Sequence, residues 1–387
     1  MTTYKTSIKE GVNTIREIRQ QPEMWLLEYE LIVQNRNSIE TFLTNNIVSK
    51  DSEIILTGAG TSAFIGDTLC FFMPSKGYRN CKAVPTTDLI THPESFFNKE
   101  SEIILVSFAR SGNSPESLAA VELANNLCKK VVHIIITCNE YGELAQKAKA
   151  NNSLLILLPP ETNDVSLAMT SSFTTMMLSF MLLTNIKSIE NESNKIKLLS
   201  ESTENFIKQY SHLIEKIASL DFKRAVFLGS GELKGIAEEC HLKLQELTDG
   251  KVICKFDTFL GFRHGPKAVI DKDTLLIYLF SPNDFVRQYE TDLVKQINKN
   301  NQVVGQIAVS AGKKHNVEGV QFDLNICLDN LTYSGNEYSF IPYVLIGQLL
   351  GFYKSLTLGL DPDNPSVSGN IARVVEGVSI YNNHSFV

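Results

Sequence analysis

Ser107-Phe-Ala-Arg-Ser-Gly-Asn-Ser-Pro-Glu-Ser117 is the stretch at which the chain changes its periodicity. Before it, Glu102-Ile-Ile-Leu-Val106 is a short apolar run of the kind that forms a strand buried on both faces of a parallel sheet. After it, Leu118-Ala-Ala-Val-Glu-Leu-Ala-Asn-Asn-Leu127 carries its apolar residues at helical spacing. The segment between them is a strand-to-helix turn. Its backbone N–H groups open a helix at the end where the dipole favours an anion. Ser107, Ser111, Ser114 and Ser117 add hydroxyl donors, Arg110 adds a fixed positive charge, and Pro115 suits the first helical turn. Serine and asparagine cap many helices that bind nothing. Four serines and an arginine around a single glycine exceed what capping requires, and the stretch reads as a phosphate-binding turn.

Outward from this turn the pattern is strand, helix, strand. Glu53-Ile-Ile-Leu-Thr57 is followed by Gly58-Ala-Gly-Thr-Ser62, whose glycines allow a tight turn and whose Thr61 and Ser62 stand where a helix begins. A dinucleotide fingerprint would want glycine at position 63, where Ala63 stands before Phe64, so NAD is not the expected ligand. Lys82-Ala-Val-Pro85, Val131-Val-His-Ile-Ile-Ile-Thr137 and Leu154-Leu-Ile-Leu-Leu-Pro159 supply further strands, with His133 expected as a core histidine. Residues 46–160 thus read as five strands alternating with helices, a doubly wound parallel sheet. Ligands of such sheets lie beyond the strand C-termini, near the point where strand order reverses. Both hydroxyl-bearing turns lie there and could share one anion. Residues 1 to 45 read as helices with Trp25, Leu26, Leu27, Leu31 and Ile32 on the apolar side and a break at Pro22. Ala168-Met-Thr-Ser-Ser-Phe-Thr-Thr175 opens an apolar helix whose Met176–Leu183 core is too short to span a bilayer. Residues 184–220 form a more polar helical bridge.

The pattern then repeats. Ala225-Val-Phe-Leu-Gly-Ser-Gly231 mirrors Ile54-Ile-Leu-Thr-Gly-Ala-Gly60, and the runs at 274–281, 302–309 and 322–328 mirror the later strands, an internal duplication of one α/β unit. The copies differ. Ser281 is followed by Pro-Asn-Asp-Phe with no serine-rich turn, so the second half is expected to have lost the phosphate site and kept the fold. In its place, Glu239, Lys243 and Glu246 fall on one helical face. A solvated salt-bridge stripe is the ordinary reading of such a face. However, Leu244 and Leu247 around Glu246 imply partial burial, where a carboxylate rises toward a useful general base. Shortly after, Phe259-Leu-Gly-Phe-Arg-His-Gly-Pro-Lys267 holds His264 in a Gly/Pro loop, and histidine is the natural acid/base near neutral pH.

Composition narrows the classes. A chain of 387 residues exceeds one typical core and implies two domains. The net charge is −7 with no basic run, which argues against nucleic acid. The seven cysteines lack C-x-x-C spacing and read as core thiols of a reducing cytosol; the N-terminus lacks a signal-peptide core, so a cytoplasmic protein without membrane association is expected. No spacing of His, Cys and Asp suggests a metal, and no nucleophile motif such as G-x-S-x-G appears.

The motifs Gly-x-Gly-Thr-Ser, x-x-Ser-Gly-x-Ser and His-Gly-Pro on a duplicated sheet resemble the tandem SIS (sugar isomerase) fold, whose well-known relative is the isomerase half of glucosamine-6-phosphate synthase. Thr57–Asp67, Val84–Asp88, Arg110–Ser117, Ala168–Ser172 and Gly261–Lys267 are similar to the AgaS type in particular. These are bacterial galactosamine-6-phosphate deaminase/isomerases, earlier labelled tagatose-6-phosphate ketose/aldose isomerases. The resemblance implies two tandem doubly wound SIS (flavodoxin-like) domains at 46–195 and 215–364. An N-terminal helical segment over 1–45 precedes them, and a tail over 365–387 covers the site. It implies phosphate binding by Thr61, Ser62, Arg110, Ser111 and Ser114, and a sugar lined by Leu167, Ala168 and Arg373. Glu246 would move a proton between C1 and C2, with Glu239 and Lys243 as its helix partners. His264 would open the ring, entering from a neighbouring subunit, which requires a homodimer or larger homo-oligomer. Ala109 and Arg110 replace a Ser-Gln pair, and the arginine could strengthen binding of a dianion. No glutaminase half or cysteine at position 2 is present, so the amino group is released rather than installed. The implied activity is conversion of D-galactosamine 6-phosphate and water to D-tagatose 6-phosphate and ammonia, which requires no metal or redox cofactor. Its rivals are a plain aldose–ketose isomerase on a sugar phosphate without nitrogen, and a non-catalytic sugar-phosphate sensor.

Overall fold

The structure, a computed structural model, describes residues 11–381 apart from 48, 151, 152, 301, 330, 332–335 and 376. The first ten residues of the expected N-terminal segment and the last six of the expected tail lie outside them. In chain order the first half comprises α1 (Val12–Gln34), α2 (Arg36–Asn46), β1 (Glu53–Thr57), α3 (Thr61–Phe72), β2 (Cys81–Ala83), α4 (Thr86–Thr91), β3 (Glu102–Ala109), α5 (Pro115–Leu127), β4 (Lys130–Thr137), α6 (Glu143–Ala150), β5 (Leu154–Leu157) and α7 (Ser171–Thr184). After α8 (Ser193–Ala218) come β6 (Arg224–Gly229), α9 (Glu232–Leu247), β7 (Ile253–Asp257), α10 (Phe259–Phe262), β8 (Thr274–Leu279), α11 (Asp284–Asn300), β9 (Gly305–Ala311), β10 (Leu324–Leu328) and α12 (Leu345–Thr357).

The strands form two parallel five-stranded sheets. The first runs β2-β1-β3-β4-β5 and the second β7-β6-β8-β9-β10, so both have the same doubly wound order. Order reverses between β1 and β3 in one sheet and between β6 and β8 in the other. The duplication extends to backbone detail. Gly60 has φ 54 and ψ −128 and Gly231 has φ 62 and ψ −129, a conformation that side chains other than glycine resist. A Cβ on Gly58 would stand 2.6 Å from Ser62, and one on Gly229 would stand 2.1 Å from the Leu233 carbonyl oxygen. In each half the first glycine lets the helix approach its strand and the second turns the chain.

What positions the site is the crossing of α3 and α9. Gly235 near the start of α9 meets Thr68 near the end of α3, where a Cβ would lie 2.6 Å from the Thr68 nitrogen. At the other end of the crossing, Lys243 of α9 meets Thr61 of α3. The helices therefore run antiparallel, and the C-terminal turn of α9 lies over the first turn of α3. On its other side α9 packs on α12, where a Cβ on Gly347 would lie 2.5 Å from Cys240 Cα. One apolar core joins the halves: Leu69 and Phe72 of α3, Ile236 and Leu244 of α9 and Ile346 and Leu350 of α12 belong to it. Every residue of α7 but its last is buried, which explains the uninterrupted apolar run at 176–183.

Three expectations are corrected. α1 does not break at Pro22; it continues to Gln34, and the break falls at Asn35. Proline cannot donate to the Ile18 carbonyl, and the Gln21 Nε2 donates to it instead at 2.9 Å. β3 runs three residues past Val106, because Ser107, Phe108 and Ala109 are buried and pair with Ile135, Ile136 and Thr137. The fifth strand of the second half, β7, was absent from the reading of the repeat. Ile-Cys-Lys-Phe-Asp is a sheet edge with no residue fully buried and shows no apolar run. His133 is a core histidine as expected: it is buried and its Nε2 lies 2.9 Å from Asn125 Oδ1. Of the seven cysteines, all free, Cys138, Cys240 and Cys327 are buried and the others are half-buried.

Candidate active site

The turns after β1 and β3 flank the first switch point and line one cleft. Its wall is formed by Ala59 and Ser62, by Arg110, Ser111, Gly112 and Ser114, by Glu116 and Ser117 on the first turn of α5, and by Met169 and Arg373. Ser62, Arg110, Ser111, Ser114 and Arg373 were expected here from the sequence. Met169 and Glu116 were not, although Glu116 lies within the deciding stretch. Ser114 also caps α5: its Oγ accepts the Ser117 N–H at 3.3 Å and lies 2.6 Å from Ser117 Oγ. The capping reading and the anion reading thus meet in one residue. A larger, mostly apolar cavity lies at the opposite end of the sheet, among Ile54, Ile104 and Ile134, away from both turns.

Arg110 is buried rather than projecting freely. Its Nη1 donates to the carbonyls of Leu167 at 3.2 Å and Ser166 at 3.4 Å, and its Nη2 donates to the carbonyl of Arg373. Burial and the nearby Arg373 charge lower the Arg110 guanidinium below its ordinary pKa. Arg373 in turn donates from Nε to the Asp164 carbonyl at 2.9 Å and from Nη2 to Asn163 Oδ1 at 2.9 Å. The two arginines tie the segment 163–167 and the C-terminal tail to the serine-rich turn after β3. Leu167 and Ala168 are buried beside them, with the Leu167 N–H donating to the Asp363 carbonyl at 3.0 Å. The Asp164 carboxylate accepts from the backbone N–H groups of Thr170, Ser171 and Ser172. This makes Ala168–Ser172 a capping cluster that holds Met169 against the cleft.

Thr61 stands apart from the other hydroxyls. It is buried at the start of α3, and its Oγ1 accepts a hydrogen bond at 3.0 Å from Lys243 Nζ of the second half. The same Nζ donates to Glu246 Oε2 at 2.6 Å and lies 3.4 Å from Glu239 Oε1. Lys243 is thus the joint between the first turn of α3 and the carboxylates of α9. Its side chain is 1% exposed, that of Glu239 0% and that of Glu246 23%. Burial raises Glu239 to about 8, with Lys243 opposing the shift. For Lys243, burial disfavours the charge, but Glu239 and Glu246 outweigh it and hold the ammonium above its ordinary value. The shorter contact makes Glu246 the ion-pair partner, and Glu246 alone of the two carboxylates reaches open space. Its charge also bears on Arg110.

His264 lies on the loop between α10 and β8, exposed, and its ring makes no hydrogen bond among the described residues. Its backbone N–H donates to the Gly261 carbonyl at 3.0 Å, and Gly265 turns the loop at φ 118. Among the described residues, no hydrogen bond, ion pair or ring contact joins its side chain to Glu246 or to the cleft. Among the described residues, no cluster of His, Cys, Asp and Glu could hold a metal ion, and no helix is long and apolar enough to cross a membrane.

Comparison with known proteins agrees with the geometry. The sequence profile of the SIS domain matches residues 47–186. The chain is 38% identical over 373 residues to the D-galactosamine-6-phosphate deaminase AgaS of Escherichia coli, covering 96% of each. It is 38% identical over 372 residues to the protein of that name from Shewanella sp. strain ANA-3, covering 95% of this chain and 91% of the other. Among solved structures it resembles tagatose-6-phosphate ketose/aldose isomerase from Escherichia coli, with a TM-score of 0.86 at 36% identity, over 95% of this chain and 96% of that one.

Proposed function

The chain belongs to the AgaS family of SIS-domain proteins, and on that footing we propose that it converts D-galactosamine 6-phosphate and water to D-tagatose 6-phosphate and ammonia. The observation that carries the reading is the bridge at Lys243: one buried ammonium bonds both Thr61, next to Ser62 of the phosphate cleft, and Glu246. A sugar phosphate seated between Ser62, Ser111 and Ser114 has its carbons toward the end of α9. The Thr61 hydroxyl accepts from Lys243 and favours the charge of Glu239, so it ties the first turn of α3 to the carboxylates of α9.

The reaction follows from these groups. In the ring-opened amino sugar, Glu246 takes the proton from C2, leaving an enolamine with its double bond between C1 and C2. The same carboxyl returns a proton to C1, which becomes the CH2OH group, and C2 becomes a ketimine. Water adds at C2 and ammonia leaves, giving the ketose. Lys243 holds and aims Glu246 through its hydrogen bond, while Glu239 stays buried behind both. His264, exposed and unengaged within its own chain, serves the site of a neighbouring copy as the ring-opening acid/base, which makes the working unit a homodimer or larger. General acid–base assistance of this kind contributes about 10²–10⁴-fold per group. A phosphorylated sugar as substrate supports a cytoplasmic location.

Purified protein incubated with D-galactosamine 6-phosphate, D-glucosamine 6-phosphate and D-tagatose 6-phosphate tests this. We expect ammonia and ketose in equal amounts from the galactosamine substrate. Interconversion of tagatose 6-phosphate with an aldose, without ammonia from either amino sugar, would establish the plain isomerase instead. Binding without turnover would establish a sensor.

A further inference from the structure

The two sheets share strand order and register, so their switch points can be laid over each other residue by residue. Thr57 pairs with Ser107 in one, and Leu228 pairs with Tyr278 in the other. On that alignment Gly58-Ala-Gly60 falls on Gly229-Ser-Gly231, Arg110 on Ser281, Glu116 on Arg287 and Ala119 on Glu290. The two places hold different contents. In the first half position 119 carries only a methyl, with no carboxylate to send toward the turns, and a cleft opens among Ser62, Ser111 and Ser114. In the second, Glu290 projects from α11, fully buried, and its Oε2 accepts the Ser281 N–H at 2.9 Å. The Ser230 hydroxyl and the Arg287 guanidinium both favour its charge. Arg287 is itself 7% exposed and donates from Nε to the Ser281 carbonyl at 2.8 Å. The backbone amide beyond the central strand bonds the carboxylate directly, and a hydroxyl from the glycine turn and a guanidinium, itself paired with Asp284 at 3.5 Å, add favourable polarity; a phosphate is drawn to the same kinds of group. Glu290 Oε1 is buried without a hydrogen-bond partner.

We infer that the second half retains an anion cradle of the kind that takes a phosphate or carboxylate group, and that Glu290 is its tethered occupant. The serine-rich turn is missing there because no ligand has to be captured. α11 is pinned to the ends of β6 and β8 by its own carboxylate, and the sheet that carries α9 is complete before substrate arrives. Burial raises this carboxyl to about 7, with the Ser281 amide, Ser230 and Arg287 opposing the shift.

Equilibrium dialysis of the full chain against radiolabelled inorganic phosphate tests the inference. Glu290→Ala is expected to take up one phosphate per chain more than the wild type, and Glu290→Gln, which keeps the space filled, no more than the wild type. The readout is a difference between variants, so it stands whether or not the first-half cleft binds phosphate as proposed. Should Glu290→Ala fold poorly, phosphate is expected to raise its refolding yield above a chloride control of equal ionic strength. A folded Glu290→Ala that takes up no additional phosphate would overturn the inference, as would a refolding yield indifferent to phosphate or an equal gain in Glu290→Gln.

Discussion

We predict that Lys243→Met separates catalysis from substrate binding. Methionine keeps much of the lysine's volume in a site that is 1% exposed, and removes the ammonium from Glu246 at 2.6 Å, Thr61 at 3.0 Å and Glu239 at 3.4 Å. A hydrogen bond between charged groups contributes about 1.5–3 kcal/mol. Glu246 is about a quarter exposed, so the lower half of that range, about 1.5–2 kcal/mol, is the appropriate figure. Spent on holding the carboxylate in position, it corresponds to a fall in kcat of about 10- to 30-fold at about 1.4 kcal/mol per decade. The cleft proposed for the phosphate does not include Lys243, so KM for the sugar phosphate should stay near its wild-type value. Breaking a buried ion pair usually costs about 3–5 kcal/mol, because a charge is left behind. Here burial has already raised Glu239 to about 8, so near neutral pH it takes up a proton and the loss of stability is smaller. Above pH 8 the loss grows. The double variant Lys243→Met/Glu239→Gln should recover stability without recovering kcat. Steady-state kinetics and thermal melts on the single and double variants measure both. Unchanged kcat in Lys243→Met, or a loss lying wholly in KM, would refute the reasoning.

Glu28 is buried on α1, neither of its oxygens has a partner at full hydrogen-bond geometry among the described residues, and burial raises it to about 8 from the ordinary 4.5, with the Ser179 hydroxyl opposing the shift. A carboxyl raised in the folded state stabilises fully below its unfolded pKa and loses that contribution as pH rises through the folded value. Glu28→Gln should therefore flatten the decline of Tm between pH 5 and pH 8, with a relative gain on the order of 3–5 kcal/mol at the upper end; an unchanged pH profile would count against it. Gly235→Ala puts a methyl 2.6 Å from the Thr68 nitrogen and should destabilise the chain by about 1–3 kcal/mol by forcing α3 and α9 apart, with kcat falling as Lys243 leaves Thr61; a denaturant melt like that of the wild type would contradict the close crossing. His264→Ala and Glu246→Gln should each be nearly inactive alone, yet regain activity when unfolded and refolded as a mixture, since one hybrid site then has both groups; no recovery would place the histidine and the carboxylate on the same chain or remove one from the site.

Much of this arrangement is legible along the chain, and the rest is not for definite reasons. Strands such as Ile103–Val106 and Leu275–Leu279 are continuous apolar runs because both faces of their sheets are covered, and the glycine pairs that open each half repeat in the sequence because the same backbone turn repeats. The edge strand Ile253–Asp257 escapes because none of its residues is fully buried, although Cys254 and Phe256 pack against the core. Pro22 misleads because its effect depends on whether another donor reaches the orphaned Ile18 carbonyl, and Gln21 does. At the site, the spacing of Glu239, Lys243 and Glu246 reveals a shared face, but not that this face lies on the first turn of α3. That depends on Gly235 and Thr68, far apart in sequence. Arg110 reads as a free cation for a phosphate, whereas three backbone carbonyls hold it. Their positions follow from the course of segments 163–167 and 373, which no local pattern encodes. Glu290 shows no signal of its own, and its role emerges only when the registers of the two sheets are superposed.

The central claim is that the carboxylate of Glu246 moves the C2 proton while the first-half turns hold the phosphate, and isotopic labelling tests it most directly. With galactosamine 6-phosphate carrying deuterium at C2, the wild type should release ammonia more slowly than with the light substrate and deliver part of the label to C1 of the ketose. Glu246→Gln should bind inorganic phosphate as the wild type does and leave the label at C2. If Glu246→Gln removed deuterium from C2 at the wild-type rate, the assignment would be contradicted.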